Sequence, residues 1–351
     1  MTSTAENPVD AALIGTVGTS GTVTPLAGDA LAVRHDDRLE LHRRAALLAG
    51  DPTPVRTHPL PPHTTAAALT EGAVVCEATR IRRIGPDGTT LWETPHAPWP
   101  SGHQEPRPPG PPAVSPDGSA VSVLVPTAGD DGPRRDGPTA LGHRGDALLL
   151  LDTDSGRVLA HRPISGNTAV VTQRWHHGGA LLAVSCWTPW YSWSTWWIEP
   201  RQDGLHVRGG TTMREVIGFL PEGGTDTRVL TLRRAERIAA NDDRDELAAH
   251  DVHTDEPTAV LDLGLLGNGR AGDEFDGAFL LDERHLLVAG RIFPPGCSAV
   301  VRHWLCDART LRPLGRVRYP RPVGWVTPLG DGTWLTRSPD GLHHWSLPRR
   351  R

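Results

Sequence analysis

The residues best suited to molecular recognition are aromatic and lie close together. The segment CWTPWYSWSTWWIEP places six aromatic side chains within eleven positions. An exposed cluster of this kind can bind a partner chain, a sugar ring or a cation. Trp196 and Trp197 are better explained as packing residues of a strand, and Trp187 as the end of the strand before it. Candidate recognition residues are Trp187, Trp190, Tyr191 and Trp193.

A second candidate region is the charged insertion TAGDDGPRRDGPTALGHRGD, within residues 127–146. Mixed charge with Gly and Pro is typical of a solvated loop, and the alternative is a polar rim around a binding surface. Its candidate binding residues are Arg134, Arg135, His143 and Arg144.

Metal and cofactor sites are not predicted. His176-His177 and His343-His344 are adjacent pairs, and adjacent residues of a strand point to opposite faces. The acidic clusters at 241–246 and 273–276 are expected to be solvated loops. GNGRAG at 267–272 matches GxGxxG, but a strand-like segment follows it instead of the helix that a dinucleotide site needs. The prediction is therefore no metal and no cofactor.

Composition and charge exclude several classes of function. All 36 basic residues are arginine, so lysine chemistry is absent. The net charge of −5, without a long basic stripe, argues against nucleic-acid binding. No apolar run reaches the roughly 20 residues of a membrane span. The four cysteines lack metal-ligand spacing, which predicts free thiols, and the cytoplasm is the expected location.

The elements that would position these residues are short strands. Paired apolar runs flank tight turns such as Glu71-Gly72, Asp117-Gly118 and Asp331-Gly332. These turns recur at roughly the period of propeller blades, 40–50 residues, with two longer intervals that need insertions. The expected single domain has blades near residues 19–60, 61–95, 112–165, 167–212, 214–263, 276–320 and 322–348.

The predicted fold is therefore all-β, a seven-bladed β-propeller of four-stranded antiparallel blades. The last blade has three strands in sequence, so Ala11–Val17 is expected to supply its outer strand and close the ring. A runner-up is a six-bladed propeller, because residues 40–55 fit a blade poorly and Arg43–Ala49 resembles a short helix. A second helix is possible within Arg233–His250.

Three outer hairpins share one pattern. Asp152, Asp251 and Asp307 each precede a Ser or Thr by three residues. A carboxylate at the end of a strand can accept hydrogen bonds from the amides of the following turn. We expect this structural role in preference to calcium binding, since other calcium ligands are missing.

The segments SPDGSAVSV, LLDTDSGRVLA, GPDGTTLW and SPDGLHHW make the chain resemble the WD40, YVTN and quinoprotein-type β-propellers. The resemblance covers nearly the whole chain and is one of architecture. The Gly-His and Trp-Asp dipeptides of WD40 repeats are absent, so no active-site residue is carried over from these families.

The long insertions favour one face of such a propeller. With the strands of a blade lettered a to d from the inside outwards, they fall in the d–a and b–c connections at 96–112, 127–146, 187–195, 233–246 and 264–277. Loops on a rigid scaffold commonly carry function. The main hypothesis is a non-catalytic scaffold that binds another protein there. A hydrolase or lyase at the channel mouth and a propeller that binds a small ligand without catalysis are the alternatives.

Overall fold

The structure is a computed structural model of the chain. It describes residues 8–26, 28–62, 64–98, 110–127, 146–164, 170–188, 192–201, 204–212, 214–220, 228–233, 245–254, 256–266, 274–292 and 299–348. Two compact units are present. Unit 1 contains the described residues up to Pro25, His42–Thr53 and those from Ile217 onwards. Unit 2 contains Leu26–Leu41 and Pro54–Val216.

Strands dominate the first half of the chain. Two strands, β1 (Pro8–Asp10) and β2 (Ala12–Val17), come before the first sheet. The first sheet holds β3 (Thr22–Pro25), β4 (Ala30–Arg34), β5 (Arg38–Arg43) and β6 (Arg56–Pro59), with helix α1 (Arg44–Leu48) between β5 and β6. The second holds β7 (Thr65–Leu69), β8 (Gly72–Cys76), β9 (Arg80–Ile84) and β10 (Thr90–Pro95). The third holds β11 (Ala113–Val114), β12 (Ala120–Pro126), β13 (Asp146–Asp152) and β14 (Val158–Ile164).

The second half continues in the same way. The fourth sheet holds β15 (Val170–Trp175), β16 (Leu182–Thr188), β17 (Ser192–Arg201) and β18 (Gly204–Thr212). The fifth holds β19 (Arg214–Phe219), β20 (Arg228–Arg233), β21 (Glu246–Asp251) and β22 (Pro257–Asp262), followed by a 3₁₀ turn at Leu263–Leu265. The sixth holds β23 (Glu274–Leu280), β24 (His285–Ile292), β25 (Val300–Asp307) and β26 (Pro313–Arg318). The seventh holds β27 (Val326–Pro328), β28 (Thr333–Ser338) and β29 (Gly341–Ser346), joined by β2.

Seven successive sheets of four antiparallel strands constitute a seven-bladed β-propeller, as the sequence predicts. The six-bladed alternative is wrong, because residues 22–59 form a blade of their own. The short helix expected at Arg43–Ala49 is confirmed as α1, an insertion between the third and fourth strands of that blade. Of the helix considered within Arg233–His250, Glu246–His250 belongs to strand β21, and 234–244 lie outside the described residues.

The middle strands of the blades are buried on both faces. Every residue of β8 and of β12 is buried, whereas the outer strands β10 and β14 expose most of theirs. The middle strands have continuous runs of apolar residues in the sequence, because neighbouring sheets cover both of their faces. In unit 2, Val74 of β8 and Val123 of β12 belong to one apolar cluster, which joins the second blade to the third. In unit 1, Leu287 of β24 and Trp334 of β28 likewise join the sixth blade to the seventh.

Two N-terminal strands lie on the edges of the last two sheets, both in unit 1. Strand β2 pairs antiparallel with β29, Val17 opposite Leu342, and is the fourth strand of the seventh sheet. Strand β1 was not expected. It pairs parallel with β26, and an exposed ion pair of 2.8 Å joins Asp10 to Arg318. That β2 closes a ring of blades stays a prediction.

The aspartates of the outer hairpins have the predicted structural role. Asp152 Oδ1 accepts a hydrogen bond of 2.8 Å from the Ser155 amide and another from its hydroxyl. Asp307 does the same with the amide and hydroxyl of Thr310, and Asp251 accepts from the Thr254 amide. Hydrogen bonds from Ser155 hold the pKa of Asp152 below its usual value. These carboxylates stabilise turns.

The described cysteines are free and buried. Cys76, Cys186 and Cys306 form no disulfide, as predicted, and Cys297 lies outside the described residues. Burial raises the pKa of Cys306 to about 12. These thiols are therefore packing groups. Within the described part of the chain, no helix has the length and hydropathy of a membrane span.

A contact in unit 2 shows how one blade holds the next. Gly156, in the outer turn of the third blade, lies against the indole of Trp92 from the second blade. The Trp92 Nε1–H donates to the Thr153 carbonyl at 2.8 Å, and the Thr94 hydroxyl donates to the Gly156 carbonyl at 3.0 Å. A Cβ at position 156 would lie 2.5 Å from the Trp92 ring. Only glycine permits this approach.

Gly156→Ala should therefore destabilise the protein more than Gly118→Ala. Both glycines have a positive φ, 70° and 76°, but a Cβ at position 118 meets nothing within 4 Å. The left-handed backbone alone costs an alanine about 1–2 kcal/mol, and overpacking adds about 1–3 kcal/mol at position 156. Urea unfolding of the two variants measures the difference. Equal losses would show that the Trp92 contact is not tight.

Candidate functional site

The aromatic segment forms the end of a hairpin in the fourth blade, in unit 2. Trp187 of β16 lies directly opposite Trp193 of β17, and Val170 of β15 lies opposite Trp187. Residues directly opposite each other in a sheet have their side chains on the same face. The three side chains therefore form a strip across three strands, which we call the Trp strip. Both tryptophans are half-buried and Val170 is 50% exposed.

On this face of the fourth blade, successive pairs of opposite residues differ in burial and polarity. Ala183 and Trp197 are opposite each other and fully buried, and Ser185 and Thr195 come next along the strands. The Ser185 hydroxyl accepts from the Val216 amide at 3.0 Å, while the Thr195 hydroxyl donates to the Arg214 carbonyl at 2.8 Å. These bonds hold residues 214–216 against this part of the face. The Trp strip lies one register step beyond them, where the face is only half covered.

Several sequence predictions are corrected here. Trp193 was expected on a loop spanning Trp187–Thr195, but it lies within strand β17, and the connection between the strands is only residues 189–191. Trp and Thr favour strands because they pack well on a pleated surface. Trp196 and Trp197 lie on β17 as predicted, and Trp187 is near the end of β16. Trp190 and Tyr191 lie outside the described residues, and their recognition role stays a prediction.

The charged candidates also lie outside the described residues. Arg134, Arg135, His143 and Arg144 fall within 128–145, between β12 and β13, and stay predictions. The adjacent histidines of the fourth blade differ in burial, His176 being buried and His177 exposed. His176 Nδ1 accepts from the Gly178 amide at 3.1 Å, which is a turn role. The expectation that the two histidines point to opposite faces of a strand is wrong, because both follow β15 and their ring centroids are 3.9 Å apart.

A polar group on the inner strands of unit 2 was missed by sequence reasoning. The Thr172 hydroxyl of β15 donates to Glu215 Oε1 at 3.2 Å, although the two residues are 43 apart in sequence. Partial desolvation lowers the pKa of Arg174, whose side chain still reaches solvent, and the Glu215 carboxylate opposes that shift. No linear motif could have indicated this group, because it is assembled from two blades.

Unit 1 contains a buried polar network between its sixth and seventh blades. The Tyr319 hydroxyl accepts from Trp334 Nε1–H at 3.1 Å and lies 2.7 Å from His303 Nδ1. The tautomer of His303 sets which of the two groups donates in this second hydrogen bond. Burial lowers the pKa of His303 to about 4 and raises that of Tyr319. Both groups are therefore neutral at pH 7, and the network is structural.

Among the described residues there is no group of three or more histidine, cysteine or acidic side chains placed to hold a metal ion.

Known structures identify the fold. No protein-family model and no curated protein matches the sequence. BamB from Moraxella catarrhalis superimposes with a TM-score of 0.55 at 11% identity, covering 96% of this chain and 100% of that one. The Pan2 WD40 domain of Neurospora crassa gives 0.52 at 10% identity, covering 100% and 98%. BBS1N, solved in complex with ARL6DN, gives 0.51 at 10% identity, covering 96% and 93%.

The chain has the WD40-like β-propeller fold. The expected resemblance to these propellers is thus confirmed at the level of architecture. Identities this low show the fold alone and transfer no site residue.

The burial of His303 predicts that the free energy of unfolding depends on pH. Below pH 6.5 the unfolded chain binds a proton at this histidine that the folded protein resists until about pH 4. The free energy of unfolding therefore falls as pH drops through this window, by at most about 3 kcal/mol from this group. His303→Gln keeps a hydrogen-bonding group for Tyr319, since an amide can donate or accept, and it does not titrate. Urea unfolding from pH 7 to pH 4 should show a shallower loss in this variant; an identical slope would contradict the assignment.

Proposed function

We propose that this protein is a non-catalytic β-propeller that binds a protein partner, with the Trp strip of the fourth blade as the anchor of the interface. The proposal places the partner on the d–a and b–c connections. The single observation that carries it is the register of Val170, Trp187 and Trp193, which puts two tryptophans and a valine on one half-covered face.

The chemistry of the strip supports a protein partner. Tryptophan is enriched among the residues that dominate binding energy at protein interfaces, where partly exposed aromatic anchors become fully desolvated. Two half-buried tryptophans on paired strands lose little conformational freedom on binding, because their backbone is already fixed. The recognition role expected of Trp190 and Tyr191, which lie outside the described residues, is part of the same proposal.

The comparisons agree with this proposal in general terms. BBS1N, which has the same fold, was solved in complex with ARL6DN, and a second neighbour is a WD40 domain. Propellers with this fold therefore include one solved in complex with a partner.

Replacing both described tryptophans of the strip tests the proposal. An affinity-tagged chain carrying Trp187→Ala and Trp193→Ala is expressed in its native host. It should capture at least about 30-fold less partner than the wild-type chain, because an interface residue that contributes about 2 kcal/mol changes the affinity by that factor. The melting temperature should fall by no more than about 5 °C, because both side chains are half-exposed. Quantitative mass spectrometry of the captured proteins gives the ratio.

The matched control is Leu159→Ala on the outer strand β14, which truncates a side chain that is 40% exposed elsewhere in unit 2. It should leave partner capture unchanged. A partner retained in full by the double variant, or lost equally in the control, would contradict the assignment of the strip.

A further inference from the structure

An open groove of about 420 Å³ lies in unit 1, at the start of the seventh blade. Its volume falls in the range of ligand sites. Trp325 is the most conspicuous of its residues, because it is 58% exposed, whereas Trp304, Trp334 and Trp345 of the same unit are fully buried. The residues that line it besides Gly324 are Pro322, Val323, Trp325, Arg337, Ser338 and Pro339.

The backbone places an aromatic ring beside a cation in this groove. The Gly324 amide donates to the Arg337 carbonyl at 2.9 Å, and the Arg337 amide donates to the Trp325 carbonyl at 3.0 Å. Two residues thus share one partner, which is the arrangement of a β-bulge, a feature that redirects side chains. The Trp325 ring rests edge-on against Phe279, with 5.8 Å between ring centroids and an angle of 81°. Phe279 thereby fixes the ring while leaving much of it open.

The charge at the groove is positive and local. Arg337 Nη2 donates to the Gly21 carbonyl at 3.4 Å, and among the described residues no carboxylate forms an ion pair with it. The nearby Asp340 is already engaged by Ser338, by His343 and by Arg321, the last at 3.7 Å. An apolar groove that offers one unpaired guanidinium is complementary to an apolar group that carries a single negative charge.

We propose that this groove binds the C-terminus of a peptide that ends in an aliphatic residue. The last side chain of such a peptide packs on Trp325 between the prolines, and its α-carboxylate pairs with Arg337. Trp325 and Arg337 are joined by a backbone hydrogen bond, and both line the groove. One terminal residue, with its side chain and carboxylate on the same carbon, can therefore reach both.

Fluorescence anisotropy on the full chain tests this inference. The probe is a fluorescein-labelled pentapeptide, Gly-Ser-Gly-Pro-Leu, with either a free carboxylate or a C-terminal amide. We expect the acid to bind at least about tenfold more tightly than the amide, since a charged hydrogen bond is lost on amidation. Arg337→Gln should weaken the acid about tenfold and leave the amide unchanged, and 0.5 M salt should weaken only the acid.

Two further variants separate binding from folding. Trp325→Ala should weaken the acid about tenfold, and Trp325→Phe should restore most of the binding by keeping an aromatic surface. Arg312→Gln, which removes an exposed arginine from an outer turn, should have no effect.

Equal binding of acid and amide would overturn the proposal. So would binding of N-acetylleucine as tight as that of the pentapeptide, which would indicate a site for small carboxylates. The Trp187 and Trp193 variants should bind the probe normally, so this test is independent of the proposed interface.

Discussion

Burial of the middle strands on both faces is the constraint on which the structure depends. A strand such as β12 has no polar face to offer to water, so its blade needs a neighbouring sheet on either side. A polar group left unpaired within these contacts costs about 1–3 kcal/mol, so a partner at the contact stabilises the protein. Ser185 and Thr195 meet this need by holding the backbone of the next blade in unit 2, and Tyr319 does so with side chains in unit 1.

The same constraint separates the framework from the surface proposed for function. Along one face of the fourth blade, the residue pairs change from apolar and buried, through hydroxyls that hold residues 214–216, to the half-covered tryptophans. Trp197 and Trp193 are the same residue type on the same strand and the same face. Trp197 is 2% exposed, while Trp193 is half-buried and retains accessible surface. Position along this face relative to residues 214–216 therefore accompanies the difference in exposure.

Local patterns were sufficient to predict the blades. Turn dipeptides, alternating apolar runs and the Asp of the outer hairpins report on contacts between residues close in sequence, and the turns at Asp152 and Asp307 have the predicted hydrogen bonds. Contacts between blades leave no such pattern. The parallel pairing of β1 with β26 and the Thr172–Glu215 contact join residues distant in sequence. Within the seventh blade, the pairing of Trp325 with Arg337 depends on a bulge that no local pattern indicated. Trp193 was assigned to a loop because a dense aromatic segment does not by itself show where a strand resumes.

Site-specific photo-crosslinking tests the central claim, that the Trp strip contacts the partner, most directly. A benzoylphenylalanine at position 193 would lie in the strip, and one at position 180 would lie in an exposed turn at the opposite end of the same blade. In the native host, the account predicts a crosslinked protein from position 193 and none from position 180. Crosslinking of the same partner from position 180 alone would contradict it.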